Sequence, residues 1–312
     1  MTVAVLNAVL KPLIESRLPD WLDVRWYATK QEAFDLAPQA EIGWFDFFRR
    51  DDMATAIGAA EKLKWLTSVF AGVEAFPLDL LRRRGVVLTN GAGINAIPIA
   101  EYVVMLMLAH SKDYRAVMRA QDAREWLKDS PGKRELWGSK ALILGYGAIG
   151  QEIDKRLAPF GVEVIKVRRH AAPGVLTGDE WRARLGEFDW VIVAVPATPE
   201  TEGLLGAAEI AGLKGNAVVV NVARGSVIDQ AALTEALAAG RIGGALLDVT
   251  TPEPLPDSDP LWGLDNVHIT MHLSGRAQEL ANQRAADRFI ENLGRYGRGE
   301  PLEPVVDYSL GY

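Results

Sequence analysis

At 312 residues, 49% of them hydrophobic and 24% charged, the chain has material for two buried cores and lacks the composition of extended disorder. A net charge of −7 argues against a general binder of nucleic-acid backbones, although a local basic patch can still hold one small anion. With no cysteine, thiolate nucleophiles, disulfides and cysteine metal sites are excluded. The N-terminal stretch MTVAVLNAVLKPLIESRLPDW shows no basic leader before an apolar run, and nowhere do about 18 apolar residues run uninterrupted. The expectation is a cytoplasmic protein with no membrane partner. Short β-branched runs, TVAVLN, DVRWYA, EIGWF, KWLTSV and VVLTN, punctuate the first 90 residues at intervals too long for hairpins. Helix-like segments separate them, which predicts a small parallel sheet.

Residues 97–120, IPIAEYVVMLMLAHSKDYRAVMRA, read as one long helix with Pro98 in its first turn. Stronger strand signals follow at 141–145, 162–167, 189–195, 217–223, 244–249 and 266–270, and helical segments separate most of them. Strands buried on both faces read as continuous apolar runs, so this is the form of a doubly wound α/β domain. A last apolar-periodic helix at about 275–296 leads into GRGEPLEPVVDYSLGY, a loop and tail.

The first strong strand opens into ALILGYGAIG, residues 141–150. A lone G-x-G-x-x-G is a weak signal, but here a strand precedes it and a helix leading to another strand follows, as the dinucleotide fingerprint requires. In the turn Gly145, Tyr146, Gly147, Ala148, Ile149 and Gly150, the first glycine allows the tight bend and the second lets the backbone approach a pyrophosphate. The third permits close packing of helix on strand. The other reading is a tight strand-to-helix turn without a ligand. About 20 residues on, where an NAD-binding domain presents an acid to the ribose 2′-hydroxyl, stand Arg168 and Arg169, followed by His170. Guanidinium groups form charge-assisted hydrogen bonds to a 2′-phosphate, so NADP(H) is the expected cofactor and NAD(H) the lesser one. Two arginines merely solvated at a strand end are the alternative.

Ligands of open parallel sheets bind outside the carboxyl ends of the strands. There the chain delivers Pro196, Arg224, Asp248, Glu253 and His272. Reducing a 2-oxo acid takes a hydride to C2 and a proton to the carbonyl oxygen, and an imidazolium can donate that proton near neutral pH. A carboxylate beside it favours the charged ring, while an arginine can hold the substrate carboxylate and polarise the carbonyl. Arg224, Glu253 and His272 suit these three roles, with Arg224 and His272 also contacting substrate. Arg224 as a structural ion-pair partner of Asp248 or Glu253 is the competing reading.

The block VVNVARGSVIDQAALTEALAAGRIGGALLDVTTPEPLPDSDPLWGLDNVHITMHLSG, 219–275, resembles the D-isomer-specific 2-hydroxyacid dehydrogenase family. Its N-x-A-R-G, L-D-V-x-x-x-E-P, P-L-W and H-x-x-G elements stand in order. The resemblance extends back through VPATPETEGLL and the glycine motif, and more loosely through NAIPIAEYVVMLML and VFAGVEAF. It implies that Arg224 binds substrate, that Glu253 pairs with His272 as the acid/base, and that Asp248 contacts the nicotinamide side of the cofactor. It further implies that backbone amides of Ala71, Gly72 and Val73 hold the substrate carboxylate and that the chain forms a homodimer. The double arginine and the ending VVDYSLGY look most like the glyoxylate/hydroxypyruvate reductase branch. Met271 departs from the proline common before the histidine, which puts the placement of the imidazole in question.

The expected architecture is α/β: two Rossmann-like domains, each a doubly wound parallel sheet, with a substrate cleft between them. The first is discontinuous, 1–100 with 275–312, and encloses the dinucleotide domain at 101–274. His110 reads as structural. His268 and His272 lie about 13 Å apart on an extended strand, too far to share an ion, so no metal is expected. A nicotinamide-sensing, corepressor-like interaction protein on the same fold is the second functional reading.

Overall fold

A computed structural model of the chain describes residues 1–47, 49–169, 173–276 and 280–311. It divides into two compact units, Met1–Asn95 with Ala277–Tyr312, and Ala96–Arg276. The first boundary therefore falls ahead of a helix that a boundary at 100 would cut.

The first unit carries β1 (Thr2–Asn7), β2 (Leu22–Tyr27), β3 (Ile42–Gly43), β4 (Trp65–Thr67) and β5 (Val87–Thr89), all parallel, in the order β2-β1-β3-β4-β5. Its helices are α1 (Lys11–Ile14), α2 (Lys30–Leu36), α3 (Arg50–Ala59) and α4 (Leu78–Arg84). Helix α2 starts where the sequence provides a capping box: Thr29 Oγ1 accepts from the Glu32 amide and the Glu32 carboxylate accepts from the Thr29 amide. Both faces of the sheet are covered. Val5, Leu66 and Leu88 pack with Phe45, Met53 and Ile57 on one side. On the other, Ala4, Leu6 and Trp65 pack with Phe289 and Leu293 of a helix from the C-terminal part of the chain. Phe289 stacks on Trp65 with ring centroids 5.2 Å apart and tilts over Trp44 at 5.3 Å, contacts that carry the C-terminal helix back to the first sheet.

The second unit carries α5 (Ala96–Ser111), α6 (Tyr114–Asp122), β6 (Lys140–Leu144), α7 (Ala148–Leu157), β7 (Glu163–Val167), β8 (Val175–Leu176) and β9 (Trp190–Val193). It continues with α8 (Ala207–Ala211), β10 (Val218–Asn221), α9 (Gln230–Ala238), β11 (Gly244–Leu247) and β12 (Val267–Ile269). The seven strands run parallel in the order β12-β11-β10-β9-β6-β7-β8. The direction of strand addition reverses between β6 and β9, the kind of switch point at which α/β sheets bind ligands. Val103, Met107, Ile153 and Leu157 of α5 and α7 cover one face, and Ile210, Leu233 and Leu237 of α8 and α9 the other. Among the described residues no helix is long and apolar enough to cross a membrane.

Three elements differ from expectation. The helix expected over 97–120 breaks after Ser111 because Asp113 takes a left-handed φ of 44° and its side chain accepts from the Ala116 amide, opening α6. The Ser111 carbonyl turns to the Arg134 amide, a tertiary bond that the helical periodicity does not reveal. The last helix, α10, spans Ala281–Arg298 rather than about 275–296, and stops at Gly299 with φ 69°. Strand β8 is two residues long, below the length at which alternation is readable.

His110, at the end of α5, sets its ring edge-on to Trp190 at 6.1 Å and to His268 at 5.7 Å. Burial, then the charges of His268 and Arg134, lower its pKa from 6.5 to about 4, with Asp113 pulling the other way. The unfolded chain therefore takes up this proton first. The stability contributed by keeping His110 neutral is full above pH 6.5 and is lost as pH falls toward 4, by at most about 3 kcal/mol. Urea midpoints at pH 7 and pH 5 should differ, and His110→Gln should narrow the difference; an equal gap in both proteins refutes the assignment.

Candidate active site

The carboxyl edge of the seven-stranded sheet is built from the loops after β6, β7, β9, β10, β11 and β12. After β6, Gly145 bends with φ 100°, and a methyl group there would lie 2.6 Å from the carbonyl of Ala194. The amides of Gly145 and Tyr146 both donate to the carbonyl of Val167, the last residue of β7, at 3.0 and 2.9 Å. A methyl group at Gly150 would stand 2.4 Å from the Gly145 carbonyl oxygen, so α7 can rise directly off the turn only because that group is absent. Gly147 differs: its φ of −86° suits any residue and a methyl group would meet nothing within 4 Å. The first amides of α7, from Ala148 and Ile149, have no intrahelical acceptor and stand at the positive end of the helix dipole. An open cradle at Gly147 backed by such amides fits the pyrophosphate of a dinucleotide. The Tyr146 side chain turns to the protein instead, its hydroxyl donating to Asp154 at 2.6 Å, while Lys166 pairs with that same carboxylate at 2.7 Å.

At the end of β7, Arg168 and Arg169 are exposed, and the Arg168 amide donates to Leu176 of β8 at 3.1 Å. A hydrogen bond from Thr198, and beyond it the charge of Arg169, lower the pKa of Glu200 in the loop after β9. In that loop the Pro196 carbonyl accepts from the Thr201 hydroxyl at 2.7 Å. His170 lies outside the described residues.

The three remaining loops follow three adjacent strands. After β10, buried Asn221 shapes the turn: its side chain accepts from the Ala223 amide at 3.0 Å and donates to the Arg224 carbonyl at 3.0 Å. The Arg224 guanidinium donates to the Ala223 carbonyl at 2.8 Å. A methyl group on Gly225 would come within 2.2 Å of the Thr250 carbonyl, so this turn presses on the loop after β11. In that loop Glu253 Oε1 accepts from the Thr250 amide at 3.2 Å, and Glu253 Oε2 lies 2.8 Å from His272 Nδ1. With Nδ1 taken, Nε2 is the ring nitrogen left to serve a ligand, on a side chain 41% exposed.

Asp248 is buried, and its carboxylate accepts from the Thr270 hydroxyl at 2.7 Å, the Leu273 amide at 3.0 Å and the Ser274 amide and hydroxyl. Its carbonyl accepts from the His272 amide at 2.6 Å. Whatever cofactor contact the resemblance implies, Asp248 holds the turn that carries His272. Asn221, Thr270 and Ser274 support the site with no role readable from the sequence, although Asn221 and Ser274 lie inside the recognised motifs. Met271 and His272 both take left-handed φ, 54° and 57°. A proline, fixed near φ −65°, cannot adopt this conformation, so methionine belongs with the observed turn.

In the first unit, Ala71, Gly72 and Val73 follow β4. The Ala71 carbonyl accepts from Asn90 Nδ2 at 2.8 Å, and no described residue accepts from the three amides. Among the described residues no group of three or more His, Cys, Asp or Glu is placed to share a metal ion.

A family model described as "D-isomer specific 2-hydroxyacid dehydrogenase, NAD binding domain" matches residues 104–274, the span that contains this glycine turn and the His272–Glu253 pair. The chain belongs to the D-isomer specific 2-hydroxyacid dehydrogenases. Among members of that family, it is 34% identical over 257 residues to D-3-phosphoglycerate dehydrogenase of Methanocaldococcus jannaschii, covering 80% of this chain and 49% of that protein. It thus spans about half the length of that curated relative. A D-isomer specific 2-hydroxyacid dehydrogenase family protein from Aeromonas salmonicida subsp. salmonicida superposes with a TM-score of 0.86 at 31% identity, covering 98% of this chain and 99% of that one. The NADPH-dependent glyoxylate/hydroxypyruvate reductase of Sinorhizobium meliloti, solved with NADP and sulfate, gives a TM-score of 0.79 at 27% identity over 100% and 99% of the two chains. Both sheets, five-stranded and seven-stranded, are thus those of a 2-hydroxyacid dehydrogenase.

Proposed function

We propose that this dehydrogenase reduces a small 2-oxo acid of the glyoxylate/hydroxypyruvate class to the D-2-hydroxy acid, with NADPH preferred over NADH. The observation that carries the reading is the 2.8 Å contact between His272 Nδ1 and Glu253, on the loop against which the Arg224 turn is pressed. A dihydronicotinamide held at the glycine turn would supply a hydride to C2 of the substrate. His272 gives the proton on Nε2 to the carbonyl oxygen as charge gathers there, and Glu253 stabilises the imidazolium through Nδ1. Arg224 orients the substrate carboxylate and polarises the carbonyl. The amides of Ala71, Gly72 and Val73 are the proposed donors to that carboxylate. Gly145, Tyr146, Gly147, Ala148, Ile149 and Gly150, with Pro196, form the proposed cofactor wall, in which Tyr146 serves through its backbone.

NADPH oxidation with a panel of 2-oxo acids tests the function, run in parallel with NADH and including the oxidised form of phosphoglycerate. Turnover of glyoxylate or hydroxypyruvate is expected; turnover confined to the phosphorylated substrate, or none at all, refutes the reading. Arg168 and Arg169 are the proposed contacts of the 2′-phosphate. Changing both to glutamine should weaken NADPH by about 10–100-fold and NADH little, because charge-assisted bonds to phosphate are lost. An unchanged ratio of cofactor affinities removes them from that role. A cytoplasmic homodimer completes the proposal. Exposed Met105 and Trp126 supply apolar surface for it, and sedimentation at micromolar concentration should show a species of twice the chain mass.

A further inference from the structure

Asp46 stands in the loop after β3 and has no part in the chemistry above. Its Oδ1 accepts from the Ser68 hydroxyl at 2.6 Å, and its Oδ2 accepts from the Val69 amide at 2.8 Å and from Trp44 Nε1 at 2.6 Å. The Ser68 hydroxyl in turn accepts from the Phe70 amide at 3.0 Å. One carboxylate thus gathers donors from two loops at the carboxyl edge of the five-stranded sheet, and the backbone it fixes ends one residue before Ala71. Burial pushes the carboxyl pKa up against the opposing pull of these three bonds. An acid in that setting is costly unless its oxygens are engaged, and packing alone would be served better by an apolar side chain.

On the far side, the Asn90 amide group holds the Ala71 carbonyl at 2.8 Å, and Arg288 of α10 holds the Asn90 and Ala92 carbonyls at 3.3 and 2.7 Å. The stretch leading into Ala71–Gly72–Val73 is thus held from both neighbouring loops: Asp46, after β3, engages Ser68 and Val69, while after β5 Asn90 holds the Ala71 carbonyl and the Gly91 amide donates to the Phe70 carbonyl at 2.8 Å. We propose that Asp46 is a positioning residue, tying the loop after β3 to Ser68–Phe70 and so setting the backbone from which Ala71, Gly72 and Val73 offer amides to an anionic substrate. The inference rests on the substrate reading given above.

Three variants test it. Asp46→Ala leaves the donors of Val69 and Trp44 without their acceptor. Asp46→Asn is the conservative case: its amide oxygen can replace Oδ2, and its NH2 group can face the Ser68 hydroxyl. Ser68→Ala cuts only the bridge to Phe70. The expected result is a KM for the 2-oxo acid raised about tenfold in Asp46→Ala, with kcat and the fluorescence-measured NADPH Kd held within about threefold. Asp46→Asn should return KM to within about threefold of the parent, and Ser68→Ala should fall between. Deuterium exchange at the Val69 and Phe70 amides should quicken in Asp46→Ala and not in Asp46→Asn. An unchanged KM in Asp46→Ala overturns the inference, as does an Asp46→Asn protein as impaired as the alanine variant. If the parent protein turns over no 2-oxo acid, the functional reading has failed; the exchange rates then still decide whether Asp46 sets this backbone, and equal rates overturn that too.

Discussion

Replacing His272 with alanine is expected to lower kcat by about 10²–10⁴-fold while KM for the 2-oxo acid moves by no more than a few fold. The carbonyl oxygen would have to gather charge with no proton donor at hand, whereas the groups proposed to hold the substrate carboxylate are untouched. The geometry gives the prediction a second arm. Glu253 Oε2 meets Nδ1 at 2.8 Å, and in the proposed reaction its carboxylate would steady an imidazolium from the side away from Nε2. Glu253→Gln keeps a hydrogen-bonding group of the same size but removes the charge, and should lose less in kcat than His272→Ala. Single-turnover measurements with NADPH separate this chemical step from cofactor release. A His272→Ala protein with kcat within threefold of the parent would mean that another group supplies the proton.

The second large effect is expected at Gly147. Valine there should leave the melting temperature without nucleotide nearly unchanged, because its φ is ordinary and its side chain would enter open space. Dinucleotide affinity should fall by more than about 100-fold, since the branched carbons would fill the place where a pyrophosphate must approach the first amides of α7. Gly145→Ala should do the reverse: a methyl group 2.6 Å from the Ala194 carbonyl on a backbone at φ 100° should cost about 1–3 kcal/mol of stability before any ligand is considered. Melting curves together with NADPH fluorescence titration distinguish the two. Tight NADPH binding by Gly147→Val would remove the glycine turn from the cofactor site.

The features most legible in the sequence are those set by local order. The glycines at 145, 147 and 150 follow a strand and open a helix, and a spacing is enough to mark such a turn. Apolar runs marked the buried strands because both faces of each sheet are covered. Arg224, Glu253 and His272 stand out by residue type at strand ends, and the last two lie in contact. What stayed hidden depends on contacts across the chain. The break at Asp113 involves a carbonyl taken by Arg134, some twenty residues on. The orientation of Asp248 is set by hydroxyls and amides of 270–274, and the two left-handed residues at 271 and 272 leave no mark in hydrophobic periodicity. Asp46 looks like one more loop acid until its three donors are seen.

The loops bearing Arg224, Glu253 and His272 leave β10, β11 and β12, which lie side by side within a single folding unit. Neighbouring strands are spaced about 4.8 Å apart, so the sheet sets the spacing at which these three loops begin. Both partners of the 2.8 Å contact between His272 and Glu253 accordingly come from that one unit.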